Sequence, residues 1–161
     1  MKMIERTFVM IKPDGVKRTL VGEIIKRFEN VGLKLVGMKM TWIDRDFSKK
    51  HYSAHVQKPF YPGVEEFIIS GPVIAMVFEG VHAIEVVRKI VGGTEPKSAI
   101  PGTIRGDYTH VSYSHADDKK MALRNVIHAS GDKNDAEKEI ALWFSGEELF
   151  KYKNVHEEHV F

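Results

Sequence analysis

TFVMIKPDGVKRTLVGEIIKRFENVG, residues 7–32, contains a strand, a turn and a helix in succession. The apolar run at 7–11 predicts a short buried strand, and Pro13-Asp14-Gly15 is a turn signal that ends it. Apolar residues then recur at helical spacing up to Gly32, which is a stop signal. These residues are Val21, Ile24, Ile25, Phe28 and Val31. The segment therefore predicts one strand and one helix joined by a tight turn.

The next residues continue the alternation of strands and helices. Between residues 33 and 43 the even positions are apolar, and alternation with period two predicts a half-buried strand with these side chains on one face. The face consists of Val36, Met38, Met40 and Trp42. Residues 46–69 are expected to form a helical hairpin, in which Asp46 caps the first helix and Pro62 opens the second.

The second half of the chain predicts two more strands. A strand is expected at 73–78, followed by a helix that ends at Gly92-Gly93. Residues 94–124 are mostly polar, and we predict a long ordered loop there. A short strand is expected at 125–128, and Asn134 with Glu137 predicts a capping box for a helix over 135–144. The order of elements favours one layered domain of helices on a sheet, and leaves the strand order open.

The amino-acid composition limits which partners the protein can bind and where in the cell it is expected. The 161 residues include 24 basic and 22 acidic side chains, so the net charge of +2 is too small to attract nucleic acid or an anionic membrane by itself. An anionic ligand must therefore meet a local cluster of cations. The absence of cysteine excludes disulfides and thiolate sites and suits a reducing cytoplasm. The longest apolar run, at 73–78, is far shorter than the roughly 18 residues that span a bilayer, so we expect a cytoplasmic protein.

One histidine stands at a junction where its ring would be accessible. His128 ends the predicted fourth strand and is followed by Ala129-Ser130-Gly131, whose small side chains leave room for an approaching group. An imidazole of ordinary pKa carries a free lone pair near neutral pH, which suits nucleophilic attack as well as proton transfer. The other ring nitrogen then needs an acceptor, for which Ser130 and Glu139 are the nearest candidates. A polar residue at a strand end is the alternative interpretation.

Three cations suggest a polyphosphate ligand. Lys12 follows a strand, Arg88 lies in a helix and Arg105 lies in the long loop, and together they could converge on a phosphate chain. Each one alone is an ordinary surface cation. The chain has no GxxxxGK[ST] motif, so any phosphate must be held by side chains. His51 and His55 have the spacing of a metal pair, but no third ligand is indicated, and exposed polar side chains are favoured.

Several motifs resemble those of the nucleoside diphosphate kinases. The similarity runs from ERTFVMIKPDGV at 5–16 through the segment at 21–40 to AEKEIALWF at 136–144. Its most specific part is NVIHAS at 125–130, supported by HY at 51–52, GGT at 92–94 and TIRGD at 103–107. The resemblance implies transfer of the γ-phosphoryl of a nucleoside triphosphate to a nucleoside diphosphate. The implied mechanism is ping-pong through a phosphohistidine at His128, with Mg²⁺ bound by the nucleotide phosphates and no metal ligand from the protein.

The resemblance also implies roles for individual residues. The residues implied in catalysis are His128, Lys12, Tyr52, Ser130 and Glu139. Those implied in nucleotide binding are Lys12, Phe60, Arg88, Thr94, Arg105 and Asn125. Phe60 would stack on the base, and stacking tolerates every base because each has a π-face. Ser130 and Glu139 would orient the histidine by hydrogen bonding.

The implied fold is α+β: a ferredoxin-like, four-stranded antiparallel sheet with helices packed on one face and the hairpin at 46–69 as one wall of the nucleotide cleft. Residues 1–161 would form a single domain of this family. The family is oligomeric, so the resemblance also implies a homo-oligomer, with a hexamer favoured and a tetramer possible.

Two departures from the family pattern stand out. Gly131 takes the place of the aspartate that usually follows the signature serine, and Asp132 comes one residue later. HVSYSHADDKK at 110–120 is an insertion of about ten residues, with a role in access to the base or in subunit contact left open. Two other functions compete: a nucleic-acid-binding module on the same type of sheet, and a scaffold of this fold without activity. No RNP-like aromatic motif supports the first, and the full set of site residues argues against the second.

Overall fold

The computed structural model describes residues 3–160. The strands are β1 (Ile4–Ile11), β2 (Lys34–Thr41), β3 (Val73–Val81) and β4 (Ile127–Ala129). The helices are α1 (Pro13–Lys17), α2 (Val21–Glu29), α3 (Arg45–His51), α4 (Tyr61–Ile68), α5 (Ala83–Val91), α6 (Ile104–Tyr108), α7 (Tyr113–Asp118), α8 (Lys133–Trp143) and α9 (Glu157–Val160). Within residues 3–160, no helix has the length and apolar character needed to cross a bilayer.

The four strands form one antiparallel sheet in the order β2-β3-β1-β4. β1 lies in the interior of the sheet, and its Met10 pairs with Ala75 of β3 on one side and with His128 of β4 on the other. The ferredoxin-like α+β fold implied by the resemblance is thereby confirmed. This arrangement places His128 on an edge strand directly beside the buried half of β1.

Alternate residues of β1 pack into two separate cores, one on each face of the sheet. Val9 and Ile11 lie in the core covered by α2 and α5. Phe8 and Met10 lie in the opposite core, which the hairpin α3–α4 and the end of α8 cover. Helices therefore cover both faces of the sheet, whereas we expected helices packed on one face and the hairpin as a wall of the cleft. Burial on both sides explains why β1 reads as a continuous apolar run.

The apolar face predicted for β2 is not a buried face. Val36 is buried, but Met38, Met40 and Trp42 are 54%, 60% and 66% exposed. β2 is an edge strand, and its register with β3 shifts between Leu35 and Gly37. An irregularity of this kind changes which residues face the core, so the pattern before it does not predict the pattern after it.

The long segment at 94–124 is more regular than a loop. It contains a 3₁₀ turn at Pro96–Ser98 and the helices α6 and α7, whose N-terminal amides are capped by the side chains of Thr103 and Ser112. Two predicted caps were also misplaced. Asp44, not Asp46, caps α3, and Asp132, not Asn134, caps α8. Neighbouring Asp and Asn residues are equally good N-caps in sequence, so spacing alone could not separate them.

Candidate active site

The position of His128 is set by the turn that follows β1. The backbone amide of Lys12 donates to Val126 O (2.9 Å), and the amide of Val126 donates to Asp14 Oδ2 (3.0 Å). A side chain at Gly15 would lie 2.9 Å from Val126 O, so only glycine allows this approach. Val126 adopts a positive φ of 61°, a strained conformation that these contacts hold. The Pro-Asp-Gly turn therefore fixes the residue two positions before the histidine.

A carboxylate on α8 holds one nitrogen of the His128 ring. His128 Nε2 lies 2.7 Å from Glu139 Oε1, and Ser130 Oγ donates to Glu139 Oε2 at 2.6 Å. Burial acts to raise the pKa of Glu139, but the hydrogen bonds from His128 and Ser130 and the nearby imidazole charge lower it overall. An ionised Glu139 accepts the proton of Nε2, so the lone pair of a neutral His128 lies on Nδ1. Among the described residues, Nδ1 has no hydrogen-bond partner.

His51 lies beside this pair, and the sequence analysis missed it. Trp143 Nε1 donates to His51 Nδ1 (3.1 Å), and the rings of His51 and His128 meet edge to face with centroids 5.0 Å apart. Burial and the neighbouring His128 lower the pKa of His51 to about 3, so it stays neutral. The HY pair at 51–52 was the available signal in the sequence. The helical spacing between His51 and His55 instead led to the prediction that both are exposed polar side chains.

The three side chains His51, His128 and Glu139 are close enough to bind a metal ion, but their protonation does not suit one. One ligand atom each from His51, His128 and Glu139 lies within 4.8 Å of the others. Because His51 Nδ1 accepts from Trp143, its proton is on Nε2, which therefore has no lone pair for a metal. His128 Nε2 is likewise protonated toward Glu139. We therefore assign the cluster to positioning of His128.

His128 opens into a cavity of about 290 Å³, which we call the histidine cavity. Its lining includes six of the residues implicated from the sequence: Lys12, Arg88, Thr94, Arg105, Asn125 and His128. Lys12 Nζ donates to Asn125 Oδ1 (2.8 Å), and Asn125 Nδ2 donates to Thr94 O (2.9 Å). Burial and the charge of Arg105 lower the pKa of Lys12 to about 8, so the ammonium remains mostly charged at neutral pH. The cavity thus concentrates positive charge beside the His128 ring.

Arg105 is a buried cation and not a surface one. It is 8% exposed, and its guanidinium donates to the carbonyls of Gly92 (3.2 Å), Asn125 (3.4 Å) and Ile127 (2.7 Å). Burial and the charge of Arg88 lower the pKa of Arg105 to about 10. Arg105 therefore also ties the chain before His128 to the end of α5, a function that sequence reasoning did not predict.

A second cavity of about 680 Å³, the hairpin cavity, adjoins the first and shares Lys12, Thr94 and Asn125 with it. Tyr52 and the half-exposed Phe60 line it from the hairpin. Burial raises the pKa of the Tyr52 hydroxyl, so it remains a hydrogen-bond donor. Four residues of the insertion line it from the other side: Tyr113, Ala116, Asp117 and Lys120. All ten residues predicted for the site therefore lie in or directly behind two connected cavities.

The residues after the signature serine lead directly into α8. Asp132 caps α8 by accepting from Asp135 N (2.9 Å), and it does not line the histidine cavity. Asp135 does line it, and a side chain at Gly131 would lie 2.8 Å from Asp135 Oδ2. Gly131 therefore makes room for a carboxylate that comes from the first turn of α8.

Comparison with known proteins assigns the family. The family model described as Nucleoside diphosphate kinase matches residues 5–149. The chain is 54% identical to the nucleoside diphosphate kinase of Pyrococcus furiosus, over 94% of this chain and 90% of that protein. It is 49% identical to the Archaeoglobus fulgidus enzyme, with 98% of each chain covered.

Solved structures agree with this assignment. A transition-state mimic of the nucleoside diphosphate kinase from Borrelia burgdorferi, with bound vanadate and ADP, superposes with a TM-score of 0.95 at 42% identity, covering 99% of this chain and 98% of that chain. The halophilic enzyme from Halobacterium salinarum in complex with CDP gives 0.87 at 45% identity, with 98% of each chain covered. On sequence and structure alike, the chain belongs to the nucleoside diphosphate kinase family.

Proposed function

We propose that this chain transfers the γ-phosphoryl group of a nucleoside triphosphate to a nucleoside diphosphate through a phosphohistidine at His128. The observation that carries the proposal is the arrangement around one ring: Glu139 holds Nε2, Nδ1 has no protein partner within residues 3–160, and the ring lines a cavity together with Lys12, Arg88 and Arg105. A nucleophile held in one tautomer in front of fixed cations is what in-line phosphoryl transfer requires.

The reaction then has two matched halves. In the first, the Nδ1 lone pair attacks the γ-phosphorus, the Nδ1–P bond forms, and the bond from phosphorus to the bridging oxygen breaks to release the diphosphate. The phosphorylated ring carries positive charge, which Glu139 stabilises through Nε2–H. In the second half, a terminal oxygen of another diphosphate attacks the phosphorus and Nδ1 leaves with its lone pair. Both nucleotides use the same site, which explains a ping-pong order.

The cations would stabilise charge on the transferred group. Lys12 and the arginines face a transition state whose negative charge spreads over three equatorial oxygens. Asn125 fixes the direction of the Lys12 ammonium through a 2.8 Å hydrogen bond, so little reorganisation is needed. The neutral hydroxyl of Tyr52 would donate to the phosphate chain from the hairpin.

The site suits a Mg²⁺ ion that binds together with the nucleotide. Among the described residues that line the histidine cavity, Asp135 is the single carboxylate, so the protein offers no cage of oxygen ligands. A carboxylate in a cavity built for phosphates would repel them without a cation between. We infer that the nucleotide phosphates would hold the ion and that Asp135 would be the carboxylate nearest to it. When bound, Mg²⁺ would neutralise negative charge on the phosphates.

Relatives support the nucleotide classes in this proposal. The Borrelia burgdorferi structure contains vanadate and ADP, and the Halobacterium salinarum structure contains CDP. A purine and a pyrimidine nucleotide thus bind proteins of this fold. In the present chain Phe60 would stack on the base from the hairpin side of the cavity.

We also propose that the working form is a homo-oligomer, a hexamer by preference. Its support in this chain is the edge strand β2, which exposes Met38 and Met40, together with the exposed Trp42 just after its end. An apolar edge of this kind is a hazard in a monomer and is normally covered by another chain. We further propose that residues 1–161 act as one kinase domain. We also propose that the protein is cytoplasmic, because a chain without cysteine has no disulfide to form and suits a reducing compartment.

The test is formation and discharge of a phosphoenzyme. Incubation with γ-labelled ATP and Mg²⁺ should put label on the protein as an acid-labile, base-stable phosphoramidate, and a nucleoside diphosphate should remove it. His128→Asn should take no label, whereas His110→Asn, which changes an exposed histidine of the insertion, should label like the parent. Equal labelling of His128→Asn would refute the mechanism. Retention of RNA without labelling would favour the nucleic-acid-binding alternative, and no reaction at all would favour the inactive scaffold.

A further inference from the structure

The insertion is anchored to the rest of the protein at several points. Tyr113 N donates to Glu95 Oε1 (3.0 Å), and Lys97 N donates to Val111 O (3.0 Å). A local bond from Met121 N to Ala116 O (2.9 Å) closes the C-terminal end of α7. These bonds hold α7 in one place, so its side chains form a defined part of the cavity wall.

The hairpin cavity has apolar walls that suit a flat ring. Phe60 and Val64 line it from the hairpin, and Ala116, Met121 and Leu123 line it from the insertion and the residues after it. A nucleobase between these two walls would bury both of its faces. Its polar edge would then be the part left to distinguish one base from another.

Two full charges of opposite sign line the hairpin cavity but not the histidine cavity: Asp117 and Lys120. Asp117 is in the last turn of α7, and Lys120 N donates to Asp117 O (3.0 Å), so the two residues are fixed close together in the chain. The other polar groups at this end, His55 and Tyr113, present aromatic rings, and the His55 ring lies 5.8 Å from that of Phe60.

Guanine is the base whose edge matches this pair. Its N1–H and N2–H groups are adjacent donors that a carboxylate accepts together, and its O6 is an acceptor that an ammonium binds. Adenine offers one amino group beside an acceptor nitrogen, which a carboxylate repels. Cytosine likewise has an amino donor beside an acceptor nitrogen, and uracil has a single N–H donor between two carbonyl acceptors. Neither base therefore offers a carboxylate two adjacent donors.

We propose that Asp117 and Lys120 of the insertion give this kinase a preference for guanine nucleotides. The inference rests on the proposed function, because it assigns the base that the same cleft prefers. Asp117 is exposed to solvent, so the preference should be modest, roughly fivefold, as for one net hydrogen bond.

The experiment measures discharge of the phosphoenzyme by different acceptors. The parent, Asp117→Asn and Asp118→Asn are labelled with γ-labelled ATP, and the second-order rate constant for loss of label is measured with GDP, IDP and ADP. IDP lacks only the N2 amino group of GDP, so it isolates the bidentate contact. Asp118 is the matched control because it is an exposed neighbour that lines neither cavity.

The parent and Asp118→Asn should discharge about five times faster with GDP than with IDP or ADP, and Asp117→Asn should lose most of this ratio. Equal rates with all three acceptors in the parent would overturn the guanine preference. A ratio that survives in Asp117→Asn would overturn the assignment to that carboxylate. Both outcomes leave the proposed function intact, whereas failure to form any phosphoenzyme would refute the proposed function and this inference together.

Discussion

At the histidine end of the cleft the functional side chains are held by buried partners, whereas at the hairpin end they meet solvent. Glu139 and Ser130 fix His128, and Arg105 is tied to three backbone carbonyls. Phe60, by contrast, is 55% exposed and stands on a hairpin. Phosphoryl transfer needs fixed geometry, and base binding tolerates adjustment. The more rigid end of the cleft is therefore the end where the phosphorus–nitrogen bond would form.

The largest effect is expected from Glu139→Gln, at the histidine end of the cleft. The amide keeps the shape and one acceptor oxygen, but it loses the negative charge that stabilises the phosphorylated ring. We expect kcat/KM to fall by about 10²–10³, as for loss of a preorganised electrostatic partner. Steady-state kinetics with a saturating donor would measure the change.

The matched control is Glu137→Gln, on the same helix but exposed and outside the histidine cavity. It should leave kcat/KM within about twofold of the parent, as expected for an exposed residue. If Glu139→Gln behaves like this control, the carboxylate does not position the histidine and the two ends of the cleft do not differ as described.

A smaller effect is expected at the hairpin end from Phe60→Ala. Stacking contributes about 1–3 kcal/mol per base, and the exposure of Phe60 places it near the lower limit. KM for every nucleotide should therefore rise about fivefold while kcat stays nearly constant, because stacking is equal in the ground and transition states. Phe60→Trp should restore KM. A large fall in kcat for Phe60→Ala would show that the base end takes part in the chemical step.

The sequence predicted which side chains meet in the site better than how they are held there. Through their resemblance to the nucleoside diphosphate kinases, the motifs at 5–16 and 125–130 were enough to expect Lys12 and His128 in one site, and both line the histidine cavity. The sheet order could not follow from periodicity, since antiparallel neighbours distant in sequence are chosen by tertiary packing.

Other features could not be predicted for physical reasons. The burial of His51 depends on Trp143, which is 92 residues away in the chain. The exposure of Met40 depends on β2 being an edge strand with a shifted register. The helices within 94–124 are each only one or two turns long, and their stability comes from caps and tertiary contacts instead of an apolar stripe.

The most direct test of the account is the identity of the phosphorylated nitrogen. Phosphorus NMR of the phosphoenzyme, prepared with ¹⁵N-labelled histidine, would assign the atom bonded to phosphorus. Because Glu139 holds Nε2 and the histidine cavity is lined by cations, we predict one phosphohistidine, bonded through Nδ1 of His128. Phosphorus on Nε2, or on any residue other than His128, would contradict the account.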